Sequence, residues 1–283
     1  MDEIREPCVA GLFYPDDTIN LKRLINSYLS SVDSKTVEFF KKNSIDSIWG
    51  VIAPHAGYIY SGGVAAYSFF PLKNKKIDTV ILIGPSHRAY FKGFALSYSK
   101  GFSTPLGVVE VDKELVNSII GLSGGVFDFV DSAHQNEHSL EVQLPFIQSV
   151  IDEDFKIVPI LMGEQSIENV NSGVNILYNV LKDYDKKYLI VISSDLSHYH
   201  NSGEAEKMDS VLMKQVEKLD SKSLIEKVEA GSIEACGAGP IALLMELAKK
   251  MGKTNVKNLK YKNSGDVSKD YERVVGYLSS VIW

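Results

Sequence analysis

The chain has 283 residues and a formal charge of −6, from 30 lysines and arginines against 36 aspartates and glutamates. Its 45% hydrophobic and 23% charged residues make an ordinary globular composition, which excludes disorder, collagen and a disulfide scaffold. The short basic run Lys73-Asn74-Lys75-Lys76 is too small a patch for a phosphate-backbone binder, so nucleic acid is not expected as a partner.

The first thirty residues mix charges throughout and lack the apolar core of a signal peptide. No later stretch reaches the roughly 18 apolar residues of a membrane span. The expectation is a cytoplasmic protein with no membrane partner, which keeps Cys8 and Cys236 as reduced thiols. Cys8, between Pro7 and Val9, reads as a small buried residue.

In chain order, DDTINLKRLINSYLSSV offers an aspartate cap and apolar residues at helical spacing, which predicts a first amphipathic helix. IWGVIAP, DTVILIGP, FKIVPILMG and YLIVISS are short apolar runs, rich in β-branched residues and ended by Gly, Pro or Ser, as parallel strands covered on both faces require. Between and after them, SGGVAAYSFFPL, DKELVNSIIGL, SLEVQLPFIQSV, SIENVNSGVNILYNVLKD and EAEKMDSVLMKQVEKL have helical period. FALSY and GVVEV read as an antiparallel insertion. SKSLIEKVEAG and PIALLMELAKKMG read as late helices, and VVGYLSSVIW as a late strand. The expectation is a single α/β domain over 1–283 with a mixed, largely parallel central sheet and helices on both faces.

An open α/β sheet binds ligands beyond the carboxyl ends of its strands. His55 in APHAGY and His87 in GPSHR each follow a strand, where proline and glycine direct the imidazole towards that crevice. Asp195 and His198 in SSDLSHYH, three apart at the start of a helical turn, can act as acid and base; alternatively Asp195 caps the turn while His198 and His200 are polar surface. Cys236 in EACGAGP has small neighbours that allow close approach to its sulfur. With two histidines it completes a His2Cys set suited to zinc, copper or non-haem iron.

His134, Glu137 and His138 in SAHQNEHSLEVQLPF are placed around the site rather than on the metal, or else form a helix cap with Glu141. Tyr58, Tyr60 and Tyr90 lie near the histidine loops and can line a groove for substrate or peptide. No GxGxxG, Walker A or GxSxG pattern is present, which removes the main support for dinucleotide, nucleoside triphosphate and serine-hydrolase chemistry.

REPCVAGLFYP, APHAGYIYSG, GPSH, EHSLEVQLPF, SSDLSHY and CGAGP occur in that order across nearly the whole chain. Together they resemble the MEMO family, which is similar in fold to the catalytic subunit of class III extradiol dioxygenases. The resemblance implies a mononuclear metal site with His55 and His87 as ligands and Cys236 where the dioxygenase has a glutamate. His198 matches the acid/base histidine, with Asp195 beside it. It further implies iron or copper as cofactor and redox activity. Recognition of phosphotyrosine-bearing receptor segments belongs to the animal member, and microbial members commonly accompany a radical-SAM protein, a candidate partner here.

Three functions follow as expectations: a metal-dependent redox enzyme acting on a small molecule, a non-catalytic module that binds a peptide or carries a metal in the same crevice, and a zinc hydrolase.

Overall fold

A computed structural model describes residues 3–43, 45, 47–151 and 154–283. The chain opens with β1 (Ile4–Arg5), α1 (Thr18–Ser30), α2 (Ser34–Lys42), β2 (Gly50–Ala53), α3 (Tyr58–Phe69) and β3 (Thr79–Pro85). The short strands β4 (Phe94–Leu96), β5 (Gly101–Thr104) and β6 (Gly107–Glu110) precede α4 (Lys113–Leu122), β7 (Phe127–Phe129), α5 (Asp131–Gln135) and α6 (Leu144–Val150). Next come β8 (Lys156–Met162), α7 (Ile167–Leu181), β9 (Tyr188–Ser193), β10 (His198–His200), α8 (Ser202–Lys218), α9 (Ser221–Glu229) and α10 (Ala238–Lys250). β11 (Val256–Asn263), α11 (Gly265–Ser268) and β12 (Val274–Ile282) finish the chain.

The four apolar runs become β2, β9, β3 and β8, adjacent in that order and mutually parallel. Every residue of β2 and β3 is buried, which explains the continuous apolar sequence. Helices α1, α3 and α6 pack as one group, and α4, α7, α9 and α10 as another, with α3 against β2 and α10 against β9 and β3. Asp17 caps α1 by accepting a hydrogen bond from the Asn20 amide, as its position before the apolar period requires. Among the described residues no helix is long and apolar enough to cross a membrane.

The sheet is mixed rather than largely parallel. Its parallel centre is flanked by β12, antiparallel to β2, β10 and β11, and by β4, antiparallel to β8. FALSY and GVVEV do not pair with each other: β4 joins the main sheet, while GVVEV supplies β6, which pairs with β5 in a hairpin that β1 extends. A short apolar run has no way of specifying its partner locally, and here the exposed edge of β8 takes β4. SSDLSHYH forms no helical turn. Residues 198–200 are captured as an edge strand on β12, with Tyr199 in the left-handed region at φ 64° between the two paired histidines. SLEVQLPFIQSV is helical only from a short 3-10 turn at Glu141–Gln143 onward.

Candidate metal centre

Because β2, β9 and β3 are parallel neighbours, the loops leaving their carboxyl ends meet at one edge of the sheet. His55 leaves β2, His87 leaves β3 and Asp195 leaves β9, while His138 arrives on the loop after α5. One ligand atom from each of His55, His87 and His138 lies within 4.8 Å of the others. Ring centroids are 5.2 Å apart for His55 and His87, 5.4 Å for His55 and His138, and 4.9 Å for His87 and His138, whose rings stack. Metal–nitrogen bonds of about 2 Å separate two ligands of one ion by roughly 3–4 Å, so small side-chain adjustments would let these three hold a single ion.

Each ring is engaged through Nδ1. His55 Nδ1 lies 2.8 Å from Ser193 Oγ, whose single proton goes to the Ser139 carbonyl at 2.6 Å. The imidazole is therefore the donor at Nδ1, and its Nε2 keeps a lone pair. His87 Nδ1 donates to Glu137 Oε1 at 2.9 Å, and the same oxygen lies 3.4 Å from His138 Nδ1. Glu137 also accepts from the His87 and Ser139 amides, so one buried carboxylate fixes the His87 ring and lies beside that of His138. Outer hydrogen bonds of this type orient metal-binding imidazoles.

The electrostatics favour neutral imidazoles at His55 and His138. Burial pushes His55 well below its ordinary value, and the neighbouring His138 and His87 push it further. Burial also lowers His138, against the opposing charge of Glu137. Burial raises the Glu137 carboxyl, but its hydrogen bonds and charge contact with His87 outweigh this and hold it at about 2.

Cys236 reaches the same place from the loop before α10. Its Sγ lies 3.2 Å from His55 Nε2 and accepts from the Asp195 amide at 3.1 Å. Burial, then the Asp195 charge, push the thiol up. The small residues of CGAGP have a steric reason: a Cβ on Gly237 would stand 2.7 Å from the Ser193 carbonyl oxygen, so only glycine lets the loop lie against the end of β9. Gly84 plays a similar part before His87, since a Cβ there would meet Ser139 Oγ at 2.9 Å.

Asp195 is buried, and its Oδ1 accepts from the His55 amide at 2.8 Å, tying the ends of β2 and β9 together. Burial raises its carboxyl to about 6 against the lowering effect of that bond. His198 Nδ1 donates to the Leu196 carbonyl at 2.7 Å, which leaves Nε2 as the proton-accepting nitrogen. Glu234 steadies this strand, accepting from the His198 amide at 3.2 Å and holding His200 Nε2 at 3.0 Å.

Tyr58 does not line a groove. It is 1% exposed, and its hydroxyl donates to the Val142 carbonyl inside the core. Tyr60 and Tyr90 are exposed. His134 is buried with Nε2 3.1 Å from the Ala95 carbonyl, apart from the three-histidine cluster. His138, placed by sequence around the site, has its ring within it, because the chain turns out of α5 immediately before residue 137 rather than continuing as a helix.

Sequence reasoning also missed the clamp behind the cluster. Arg5 pairs with Glu141 and donates to the carbonyls of His134 and Glu137 at 3.0 and 2.5 Å. Glu141 accepts further bonds from the Cys8 and Val9 amides and the Tyr14 hydroxyl, at 2.8, 3.0 and 2.6 Å. REPCVAGLFYP is thereby fastened onto the 134–141 loop; an arginine in one motif and a glutamate in the other were visible, but nothing local paired them. Beside His138 lies a cavity of about 520 Å3 lined by Cys8, Val9, Phe13, Arg88 and Asn136.

A family model described as Memo-like protein matches residues 5–281. A MEMO1 family protein of Methanosarcina barkeri is 37% identical over 279 residues, covering 99% of this chain and 100% of the relative. Those of Methanobrevibacter smithii and Saccharolobus islandicus are 38% and 39% identical, each over 98% of this chain and 99% and 98% of the relative. Matches of that extent and identity leave one assignment: the chain belongs to the Memo-like family.

Proposed function

We propose that the protein is a metal-dependent redox protein with a class III extradiol dioxygenase-like fold, in which His55, His87 and Cys236 hold one iron or copper ion and His138 faces the same space. The observation that carries this reading is the meeting of three imidazoles with a thiol 3.2 Å from His55 Nε2, brought together by four separate loops. Imidazole with thiolate is a soft, mixed donor set suited to both metals. A bound iron or copper would supply electron-transfer chemistry.

The chain's own residues supply the rest. Glu137 and Ser193 fix the ligand-facing nitrogens. In this reading His198, whose Nδ1 is taken by the Leu196 carbonyl, takes or gives a proton at Nε2, and Asp195 holds the His55 loop through the His55 amide. The cavity beside His138 admits a small molecule or the tip of a peptide.

The test is metal content after anaerobic loading with Fe(II) or Cu(I), read by elemental analysis and metal spectroscopy. The wild type should take up about one ion per chain. Cys236→Ala should lose most of it, and Glu137→Gln should weaken affinity about 10–100-fold without losing the fold. Unchanged metal content in Cys236→Ala removes the sulfur ligand, and a wild type that takes up only zinc favours hydrolytic chemistry.

A further inference from the structure

At the opposite end of the sheet from the histidines, the amino ends of β2, β3 and β9 surround a second cavity of about 320 Å3. Trp49 stands just before β2, Ile77 just before β3 and Tyr188 opens β9; with Ile48 and Leu72 they give the cavity a largely apolar wall. Tyr188 and Ser193 are the two ends of β9, and Ser193 touches His55. Five residue steps of about 3.3 Å put the two sites about 16 Å apart along the strand, so this is not an arm of the metal centre.

The rim is basic. Lys75, Lys76, Lys186, Lys187 and Lys253 all line it, with no carboxylate among its described lining residues, in a chain whose net charge is −6. Lys186 is held by Glu114 at 3.2 Å. Lys75, Lys187 and Lys253 carry ammonium groups with no carboxylate partner among the described residues. Like charges gathered around one small space repel each other, and an anion between them would offset that repulsion. Trp49 Nε1 donates to the Tyr188 hydroxyl at 3.2 Å, their rings edge to face, so the phenol keeps its own proton for a guest.

We propose that this cavity binds a small molecule that joins a flat apolar ring to a phosphate or carboxylate. The ring would lie against Trp49 and Tyr188, and the anion would sit among Lys75, Lys187 and Lys253. Ammonium groups on flexible stems accept either anion, because they act as point charges rather than as a fixed fork. The volume is at the lower end of the roughly 300–1,000 Å3 typical of ligand sites, which limits the guest to about one or two rings.

Calorimetric titration of the full-length protein with adenosine monophosphate and with 2-naphthoate tests this, with adenosine and ribose 5-phosphate as half-ligands. At least one of the two complete anions should bind saturably, and which one does identifies the acidic group. Its own neutral counterpart, adenosine or naphthalene, should bind about tenfold or more weakly, and ribose 5-phosphate should do no better than adenosine monophosphate. Affinity should fall as salt is raised to physiological strength, where the screening length is about 8 Å. The triple substitution Lys75→Gln, Lys187→Gln, Lys253→Gln changes only rim charges and should weaken binding about tenfold or more, while Lys35→Gln on α2 should not. Metal uptake at the histidine cluster should be the same in both variants. No saturable binding of either anion at millimolar concentration, or binding unchanged in the triple variant, overturns the proposal.

Discussion

Replacing Glu141 by glutamine removes one charge from a site where both partners are buried, Glu141 at 0% and Arg5 at 6% exposure. The Arg5 guanidinium would keep its bonds to two carbonyls but lose its counter-ion. The glutamine amide would also present hydrogens where four donors now converge: Arg5, the Cys8 and Val9 amides and the Tyr14 hydroxyl. Breaking a buried ion pair by removing one partner costs about 3–5 kcal/mol. At roughly 2 °C per kcal/mol for a chain of this size, the midpoint of thermal unfolding should drop by about 6–10 °C.

The pH dependence has a definite sign. Burial raises the Glu141 carboxyl, but the charge of Arg5 and the donors around it hold it below its ordinary value. A lowered folded-state value gives stability that is full above the unfolded value of about 4.3 and is lost as pH falls through the folded one. The gap between wild type and Glu141→Gln should therefore stay constant from about pH 6 to 8 and close below about pH 4. Urea unfolding followed by circular dichroism across that range measures it. Adding Arg5→Met to Glu141→Gln should cost less than the two single losses summed, since the pair is already broken. A gap under about 1 kcal/mol at neutral pH, or strict additivity, would refute the clamp.

Two other outcomes are expected. Gly237→Ala, whose new methyl meets the Ser193 backbone oxygen at 2.7 Å, should destabilise by about 1–3 kcal/mol, whereas Gly121→Ala in α4, with nothing within 4 Å, should be neutral or gain up to about 1 kcal/mol; equal effects would deny the tight loop contact. The Cys8 thiol is pushed up to about 11, first by burial and then by Glu141. In a Cys236→Ser background it should be alkylated about 100-fold more slowly at pH 8 than an ordinary thiol, and faster once Glu141→Gln is added; alkylation at an ordinary rate would contradict that environment.

Much of the frame was legible residue by residue. VILIGP and LIVIS are apolar throughout and rich in β-branched residues, which suits strands buried on both faces, and their Gly, Pro and Ser endings mark where each strand stops. Parallel neighbours have their carboxyl ends on one side, so His55, His87 and Asp195 were bound to emerge together once those strands paired. The Asp17 cap was equally readable, because capping is settled within four residues.

What tertiary structure alone decided are the contacts between distant stretches. His138 enters the cluster because Arg5, 133 positions earlier in the chain, and Ser193 hold the backbone around Glu137 and Ser139. Residues 198–200 became an edge strand because β12 offered unpaired backbone groups, a stronger claim than the local preference of SSDLS for a turn. Periodicity along a chain reports which face of an element is buried, and it carries no record of which remote partner will bury it.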